Sequence, residues 1–355
     1  LTKLTNQRIL VTGGAGFIGS ALCEHFLAQD NQVVCLDNLL TGHRENIEPF
    51  LKNKNFTFIE GDICDSATCT KACDGTGYVF HQAALGSVPR SIENPQRTNE
   101  INITGTLNML VAARDARVKR FVYASSSSVY GDSPTLPKVE DAIGEPLSPY
   151  AVTKLVGEKY GKLFYDIYGL ETVGLRYFNV FGRRQDPEGP YAAVIPKWVM
   201  LLIKHERPVI NGDGTYSRDF TYIDNVVEAN EKAAVAREHG SAGARELGSA
   251  GARERGSSGA RELGGGEEAA GEVFNIAFGG NTNLNELFGV LRDNLAQFDK
   301  KIAGTEPVYG PERPGDIPHS MASIDKARTL LDYNPRYDAR QGFEKACRWY
   351  WERFV

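Results

Sequence analysis

The chain has 355 residues, a length that suits one large domain or a large domain with a smaller one. Hydrophobic residues make up 41%, yet no apolar run could span a bilayer and no apolar signal segment is seen, so neither a membrane nor a secreted protein is expected. Lys and Arg number 40 against 45 Asp and Glu, and the net charge of −5 disfavours nucleic acid as a partner.

Along the first half of the chain, short apolar runs rich in β-branched residues alternate with helical patterns. The predicted strands are residues 8–12, 32–36, 56–59, 78–81 and 120–124. One helix is predicted after the first strand, through Leu27, and another from Asn99 to Ala116, before the fifth strand. This alternation predicts an α/β fold whose doubly wound, Rossmann-type parallel sheet is covered by helices on both faces.

In the second half the alternation thins, and Pro, Gly and aromatic residues become more frequent. We therefore predict a Rossmann domain over residues 1–178 and a smaller, partly interleaved domain mainly over 179–355. The chain is expected to return to the first domain near 219–232 and 273–277. Residues 238–271 contain three glycine-rich octapeptide repeats, which predict a flexible surface insertion.

The six cysteines are too few for a disulfide scaffold in so long a chain. Cys64, Cys69 and Cys73 lie close together, but they form no C-x-x-C pair and have no neighbouring histidine. This spacing does not predict a metal site. Free thiols in a reducing compartment are expected instead, which favours the cytoplasm.

Three glycines follow the first strand and open a helix in the spacing G-x-x-G-x-x-G: Gly13, Gly16 and Gly19. In this context they allow a tight turn, a close approach of a diphosphate to the backbone, and close helix–strand packing. Asp37 ends the second strand, 18 residues after Gly19, where a carboxylate can bind a ribose diol. Because that carboxylate would repel the extra phosphate of NADP, the pattern predicts NAD as the cofactor.

Further cofactor contacts are expected where the next strands end, since open α/β sheets bind ligands at the carboxyl ends of their strands. Asp62 and Ile63 follow the third strand and are predicted to lie beside the adenine. After the fourth strand, Gln82, Ala83 and Ala84 offer small residues where the backbone passes close to a ligand. The remaining residues predicted to bind the cofactor are Phe17, Ile18, Asn38, Asn102 and Tyr177.

Tyr150 and Lys154 stand at i and i+4, on one face of a helix that Pro149 helps to start. A tyrosine with a pKa near 10 is a poor base, and lowering that pKa to about 7 requires roughly 4 kcal/mol of preferential phenolate stabilisation. A neighbouring ammonium and the positive nicotinamide ring of NAD are both suited to supply it. Four serines, 125–128, end the fifth strand, where a hydroxyl can hold the alcohol that Tyr150 deprotonates.

At these residues the sequence resembles the extended short-chain dehydrogenase/reductases, and within them the nucleotide-sugar 4-epimerases. It is most similar to bacterial UDP-N-acetylglucosamine/UDP-N-acetylgalactosamine 4-epimerases. The resemblance covers nearly the whole chain outside the glycine-rich insertion. It includes AALGSVPRS at 83–91, LRYFNVFG at 175–182 and RPGD at 313–316.

The resemblance implies the roles of the chemical groups. Tyr150 would be the base, and Lys154 would tune it and bind the nicotinamide ribose. Ser126, four residues before Tyr130, would hydrogen-bond the sugar O4, with Ser125 and Ser127 beside it. C4 would give hydride to NAD⁺, and the 4-keto sugar would rotate about its diphosphate link before the hydride returned to the opposite face. The resemblance also implies a UDP-sugar as substrate and a homodimer formed through two helices of each subunit.

The same resemblance implies the substrate contacts. Asn179, Arg218 and Arg313 match the residues of the family that bind the diphosphate, while Gly86 and Ser87 leave space for the sugar to turn. The residues expected to line the uridine and ribose are Ala193, Val194, Lys197, Asn211 and Asp316. For Lys197 and Asn211, a solvated surface position is an equally good interpretation. Ser320 matches a position that is bulky in enzymes restricted to glucose and galactose, so its small side chain predicts space for an N-acetyl group.

Several alternatives were weighed against the same residues. Related 4,6-dehydratases carry Asp-Glu, and UDP-glucuronate decarboxylases Glu, where this chain has Ser127 and Ser128, so both reactions are disfavoured. A UDP-glucose 4-epimerase or a dual-specificity enzyme would differ only in pocket volume. A non-catalytic NAD-sensing protein is disfavoured because Tyr150, Lys154 and Ser126 are all present.

Overall fold

A computed structural model describes residues 3–188, 191–236, 269–312 and 318–355. Its strands are β1 (Arg8–Thr12), β2 (Gln32–Asp37), β3 (Phe56–Glu60), β4 (Tyr78–His81), β5 (Arg120–Ser126), β6 (Thr172–Tyr177), β7 (Val180–Phe181), β8 (Val209–Asn211), β9 (Ser217–Arg218), β10 (Thr221–Tyr222), β11 (Val273–Ile276), β12 (Thr282–Asn283), β13 (Val308–Gly310) and β14 (His319–Ser320). Its α-helices are α1 (Phe17–Leu27), α2 (Ser66–Cys73), α3 (Val88–Glu93), α4 (Pro95–Asn99), α5 (Thr106–Asp115), α6 (Pro149–Tyr168), α7 (Val194–Ile203), α8 (Ile223–Val235), α9 (Leu284–Leu295), α10 (Asp325–Leu331) and α11 (Ala339–Phe354).

Seven parallel strands form the central sheet, in the order β3-β2-β1-β4-β5-β6-β11. The predicted doubly wound sheet is therefore confirmed, and all five strands predicted in the first half belong to it. The strand order reverses direction between β1 and β4, so a crevice opens there at the carboxyl ends of the strands. β5 runs on to Ser126, which brings the serine run to this same edge.

Buried apolar side chains cover both faces of the central sheet. Ile9 and Val11 of β1 pack in one cluster with Phe26 of α1, whereas Leu10 belongs to a second cluster. Because successive side chains of a strand point to opposite faces, a strand covered on both sides needs apolar residues throughout. The first cluster also contains Phe343 of α11. One core thus joins both predicted domains, and the boundary between them stays a prediction.

The predicted helix from Asn99 to Ala116 is interrupted in the structure. Its first part, Glu100–Gly105, is a π-helical turn that joins α4 to α5. This wider turn carries Asn102, whose side chain is buried. The sequence pattern did not indicate the interruption, because apolar spacing alone does not distinguish a π-helical turn from an α-helical one.

The second half of the chain returns to the sheet by a helix and by a strand. Helix α8 packs against α1, β5 and β6, whereas β10, just before it, pairs with β7 outside the central sheet. The later return is β11, which pairs with β6. The predicted flexible insertion, 238–271, lies almost wholly outside the described residues. None of the helices in the described ranges has both the length and the apolar character needed to cross a bilayer.

Candidate active site

A cleft with a volume of about 460 Å³ lies where the central strands end. Its walls come from the segments that follow β1, β2, β3 and β4, from the end of β5 and from the first turns of α6. Of the residues predicted to bind the cofactor, those that line it are Gly13, Gly16, Phe17, Ile18, Gly19, Asp37, Asn38, Asp62, Ile63, Gln82, Ala83, Ala84, Tyr150, Lys154 and Tyr177. The fold thus brings together residues that are up to 164 positions apart, from Gly13 to Tyr177.

The glycine loop has the shape that a diphosphate requires. Gly13 has a φ of +66°, and a Cβ atom on Gly19 would lie 2.0 Å from the Gly13 carbonyl oxygen. Gly16, which precedes α1, has no side chain to cap the helix, and the first turn carries no acidic residue. The amides at this N-terminus are therefore open to a negatively charged ligand. The loop fits the diphosphate of a dinucleotide.

Asp37 is held in place by the loops on either side of it. Its Oδ2 accepts a hydrogen bond of 2.9 Å from the amide of Ala15, and its Oδ1 one of 2.8 Å from Leu39. Burial raises the pKa of Asp37, while these two amides oppose the rise. Next to it, Asn38 Nδ2 donates to Asp62 Oδ2 over 3.0 Å. These two carboxylates line the cleft at the end where the sequence predicts the adenosine.

Tyr150 and Lys154 line the cleft, and Ser126, which does not line it, contacts Tyr150. Lys154 Nζ donates to the carbonyl oxygen of Ala124 over 2.8 Å and lies 5.8 Å from the centroid of the Tyr150 ring. Desolvation lowers the pKa of Lys154 to about 8, although the negative charge of Glu158 opposes this decrease. Lys154 therefore still carries its proton in most molecules at neutral pH.

Burial of Tyr150 opposes the loss of its proton. Desolvation raises the pKa of Tyr150 above its ordinary value, and a hydrogen bond with Ser126 only partly opposes the rise. Removing a phenol from water disfavours its charged form. The Lys154 ammonium, expected to lower this pKa toward neutrality, does not do so by itself in this arrangement.

The serines of the run at 125–128 have different contacts. Ser126 Oγ accepts a hydrogen bond of 3.1 Å from the amide of Ser128 and also contacts Tyr150. Ser125 lines the cleft, but its Oγ donates to Glu158 Oε1 over 2.5 Å, so its proton is engaged within the chain. Ser127 begins a short 3₁₀ turn, Ser127–Tyr130, and does not line the cleft.

Asn102, predicted to bind the cofactor, does not line the cleft. Its Oδ1 accepts from the amide of Leu85 over 2.7 Å, and its Nδ2 donates to the Leu85 carbonyl and to Thr153 Oγ1. The side chain therefore ties the loop after β4 to helix α6. Asn102 lies in the π-helical turn and is buried, which the sequence pattern did not indicate.

Three of the predicted substrate residues are brought together by a small sheet. In the sheet β12-β9-β14, Ser320 stands in register with Arg218. Asn179 Nδ2 donates to the carbonyl oxygen of Asp219 over 3.0 Å. Gly86 and Ser87 line the cleft itself.

Asp219 ties this small sheet together. It is fully buried, and its carboxylate accepts hydrogen bonds from the amides of Phe278, Gly279 and Ala322 at 3.1 to 3.3 Å. Burial raises its pKa to about 6, although the amides oppose the rise. No role was predicted for Asp219 from the sequence, because partners so far along the chain leave no local signal.

Apart from Gly86, Ser87 and Ser125, the predicted substrate residues that the structure describes do not line the cleft, and this includes Asn179, Arg218 and Ser320. Ala193 precedes α7, Val194 begins it, and Lys197 is exposed one turn later. Asn211 ends β8 and pairs with Gly310 of β13. Arg313 and Asp316 lie outside the described residues.

Two residues in the wall of the cleft that were not predicted from the sequence are in contact with each other. The guanidinium of Arg90, on α3, lies 4.8 Å from the ring centroid of Tyr191, and both line the cleft. Being 101 positions apart, they give no local pattern. The other lining residues that were missed are Leu36, Leu40, Thr41, Gly42, Gly61, Leu85, Ile101 and Ala124.

The cysteines and the other possible metal ligands do not form a cluster in the part of the chain that the structure describes. All six cysteines are free thiols, and five of them are buried. Within the described ranges, no three or more His, Cys, Asp or Glu side chains are grouped in a way that could hold a metal ion.

Comparison with known proteins gives consistent results over nearly the whole chain. The model of the NAD dependent epimerase/dehydratase family matches residues 9–245. A UDP-glucose 4-epimerase from Mycolicibacterium smegmatis is 33% identical, over 97% of this chain and 98% of its own length.

Two solved structures are also similar. A UDP-N-acetylglucosamine 4-epimerase from Methanobrevibacter ruminantium, in complex with UDP-N-acetylmuramic acid, is 36% identical with a TM-score of 0.84, over 99% of this chain and 100% of that one. A UDP-glucose 4-epimerase from Thermus thermophilus, in complex with NAD, is 30% identical with a TM-score of 0.77, over 97% and 98% of the two chains.

Proposed function

Because the chain belongs to the NAD-dependent epimerase/dehydratase family, we propose that it interconverts UDP-N-acetylglucosamine and UDP-N-acetylgalactosamine by inverting C4 of the hexose. NAD is its cofactor, and the glycine loop with Asp37 provides the cradle for it. The observation that carries the proposal is the pairing of Tyr150 and Lys154 in the wall of that cleft, with Ser126 in contact with Tyr150.

The proposed mechanism assigns each of these side chains one task. Tyr150 removes the proton of the 4-hydroxyl and later returns one to O4. Ser126, which contacts Tyr150, hydrogen-bonds the same oxygen in this proposal. Lys154, fixed by its bond to Ala124, keeps a positive charge next to the Tyr150 ring. When bound, NAD supplies the hydride acceptor and donor, so no external reductant is consumed.

Epimerisation is favoured over elimination because residues 127 and 128 are serines and not carboxylates. Loss of water from a 4-keto sugar needs a second acid/base pair next to the catalytic hydroxyl. Ser127 and Ser128 stand in those two places, and neither can act as a carboxylate base. Oxidation and reduction at C4, without further bond breaking, is the reaction that remains.

An N-acetyl sugar is favoured by the small side chain of Ser320. Ser320 is half-buried and stands in register with Arg218, a predicted diphosphate ligand. A side chain beside that diphosphate site has the sugar within reach, and a hydroxymethyl group leaves room for an acetamido substituent. The alternative, a UDP-glucose 4-epimerase or a dual-specificity enzyme, shares every other feature of the site.

The test is to incubate the protein separately with UDP-N-acetylglucosamine and with UDP-glucose, without reductant, and to resolve the C4 epimers by NMR. The proposal expects conversion of the acetylated sugar at least as fast as that of UDP-glucose. Conversion of UDP-glucose alone would keep the mechanism and overturn the sugar assignment.

Ser320→Tyr is expected to lower kcat/KM for UDP-N-acetylglucosamine about 100-fold, because the ring would occupy the space of the acetamido group. For UDP-glucose the change should stay within about threefold. Ser320→Ala, which removes the hydroxyl without adding bulk, is the matched control and should resemble the wild type with both sugars. A parallel loss with both sugars would place Ser320 outside the sugar pocket.

We also propose a homodimer formed through α6. This helix exposes a stripe of apolar side chains, Val152, Leu163 and Ile167, between 46% and 65% accessible. Large exposed apolar stripes are typical of protein interfaces. Light scattering is expected to give twice the mass of the chain for the wild type and a single chain mass for Leu163→Glu. A monomeric wild type would contradict the proposal.

We propose that the protein acts in the reducing cytoplasm, because its cysteines are free thiols. Cell fractionation would test this localisation.

A further inference from the structure

A buried ion pair lies directly behind the proposed catalytic residues. Glu158 follows Tyr150 and Lys154 at i+8 and i+4, on the same face of α6. It forms a bidentate pair with Arg176 of β6, with Nε–Oε1 and Nη2–Oε2 distances of 2.8 Å. The two side chains are only 6% and 3% exposed. A pair so deeply buried is stable only where further hydrogen bonds satisfy its remaining polar atoms.

The Glu158 carboxylate also holds the end of β5. Ser125 Oγ donates to Glu158 Oε1 over 2.5 Å, and Ser125 itself lines the cleft. The next residue, Ser126, is the one that contacts Tyr150. Whatever fixes the backbone at Ser125 therefore also fixes the position of Ser126.

Arg176 is anchored from the opposite side. It donates to the carbonyl oxygen of Glu140 over 2.7 Å and to the Tyr130 hydroxyl over 3.1 Å. The Tyr130 hydroxyl in turn donates to Asn275 Oδ1 over 2.6 Å. Such a connected, fully buried polar network holds its members in one arrangement.

We propose that Glu158 is a positioning residue of the active site, which holds Ser125 through a hydrogen bond and sets a fixed negative charge on the helix face that carries Tyr150 and Lys154. This inference rests on the proposed function of those two residues. Glu158 is too deeply buried to contact a substrate, so it acts through Ser125 and Lys154.

The charge of Glu158 has a measurable consequence at Lys154. Desolvation lowers the pKa of Lys154 to about 8, and Glu158 is the charge that opposes this lowering. The other titratable or charged groups around the pair are Tyr150 on α6, His81 on β4, Tyr123 on β5 and Arg176 on β6, with Tyr130 and Glu140 beyond Arg176. Burial lowers the pKa of His81 to about 3, so it stays neutral in this range.

Removing the charge should therefore make Lys154 lose its proton at lower pH. For Glu158→Gln we expect kcat to fall about 10-fold and the alkaline limb of the kcat–pH profile to move down by about one pH unit. Glu158→Asp keeps the charge but shortens the reach to Ser125, and Ser125→Ala removes the hydrogen bond alone. Both variants should lower kcat without moving the alkaline limb of the kcat–pH profile. They also allow the inference to be tested if Glu158→Gln folds poorly.

The matched control is Glu171→Gln, which removes the partner of Arg120, another buried arginine of the central sheet. It should lower the melting temperature and leave the pH profile unchanged. A Glu158→Gln enzyme with the wild-type kcat and limb would overturn the inference, as would an equal limb shift in Glu171→Gln.

A second readout separates this inference from the proposed function. In protein labelled with ¹³C-lysine, the Lys154 side-chain signal, assigned by its loss in Lys154→Arg, reports the protonation of Lys154 without any turnover. The Lys154 signal should titrate at lower pH in Glu158→Gln than in the wild type. An unchanged titration refutes the inference even if the wild type is active, whereas an inactive wild type with a shifted titration refutes only the proposed function.

Discussion

Tyr150→Phe is expected to lower turnover by about 10³-fold or more while leaving NAD bound. The substitution removes the one group that we assign to take the C4 hydroxyl proton, and general base catalysis is commonly worth about 10²- to 10⁴-fold. The ring itself remains, so the wall of the cleft beside Lys154 keeps its shape. The initial rate of epimer formation is measured by NMR, and retained NAD by absorbance after denaturation.

Tyr160→Phe is the matched control for this prediction. Tyr160 lies on the same helix, α6, but packs against the hydrophobic core and does not line the cleft. Its variant should turn over at the wild-type rate. Wild-type turnover in Tyr150→Phe would refute the mechanism, and loss of NAD from that variant would show that Tyr150 acts in binding.

Gly19→Ala should weaken NAD binding by at least about 100-fold and lower the melting temperature. A Cβ atom there would lie 2.0 Å from the Gly13 carbonyl oxygen and 2.8 Å from Gly14 Cα. Contacts with backbone atoms cannot be relieved by a rotamer change, so the loop must move, and overpacking of this kind costs about 1–3 kcal/mol or more. The displaced loop no longer offers its amides to the diphosphate. Calorimetric titration with NAD, well below the melting temperature of the variant, measures the effect.

Gly289→Ala makes the same change on helix α9 and serves as its control. Among the described residues, and apart from its chain neighbours and the nearby backbone of its own helix, no heavy atom lies within 4 Å of the added Cβ atom. Since alanine favours a helix over glycine by about 1 kcal/mol, this variant should melt at the same or a higher temperature and bind NAD normally. Normal NAD binding by Gly19→Ala would remove the glycine loop from the cofactor site.

The features that were predicted correctly are local in the chain. The strand from Arg8 to Thr12 is recognisable because buried parallel strands contain continuous apolar runs, here Ile9 to Val11, and β4 contains such a run from Tyr78 to Phe80. The glycine loop and the Tyr150–Lys154 pair depend on spacings of three and four residues, which the backbone geometry of one turn or one helix face fixes.

The features that were missed join distant parts of the chain. Asn102 forms hydrogen bonds with Leu85 and Thr153, which are 17 and 51 residues away in the chain, and does not line the cleft. Arg90 and Tyr191 meet across the cleft from segments about a hundred residues apart. No pattern in one sequence relates such positions.

The sequence by itself thus determined the class of fold and the cofactor, and it predicted Tyr150 and Lys154, which the fold places in the wall of the cleft, because these predictions depend on residue types at short, regular spacings. Only the tertiary structure decided how those groups are charged and held. Desolvation raises the pKa of Tyr150 and lowers that of Lys154, and Arg176 reaches Glu158 from a neighbouring strand. Burial and hydrogen bonds between distant residues exist only once the sheet and its helices have packed together.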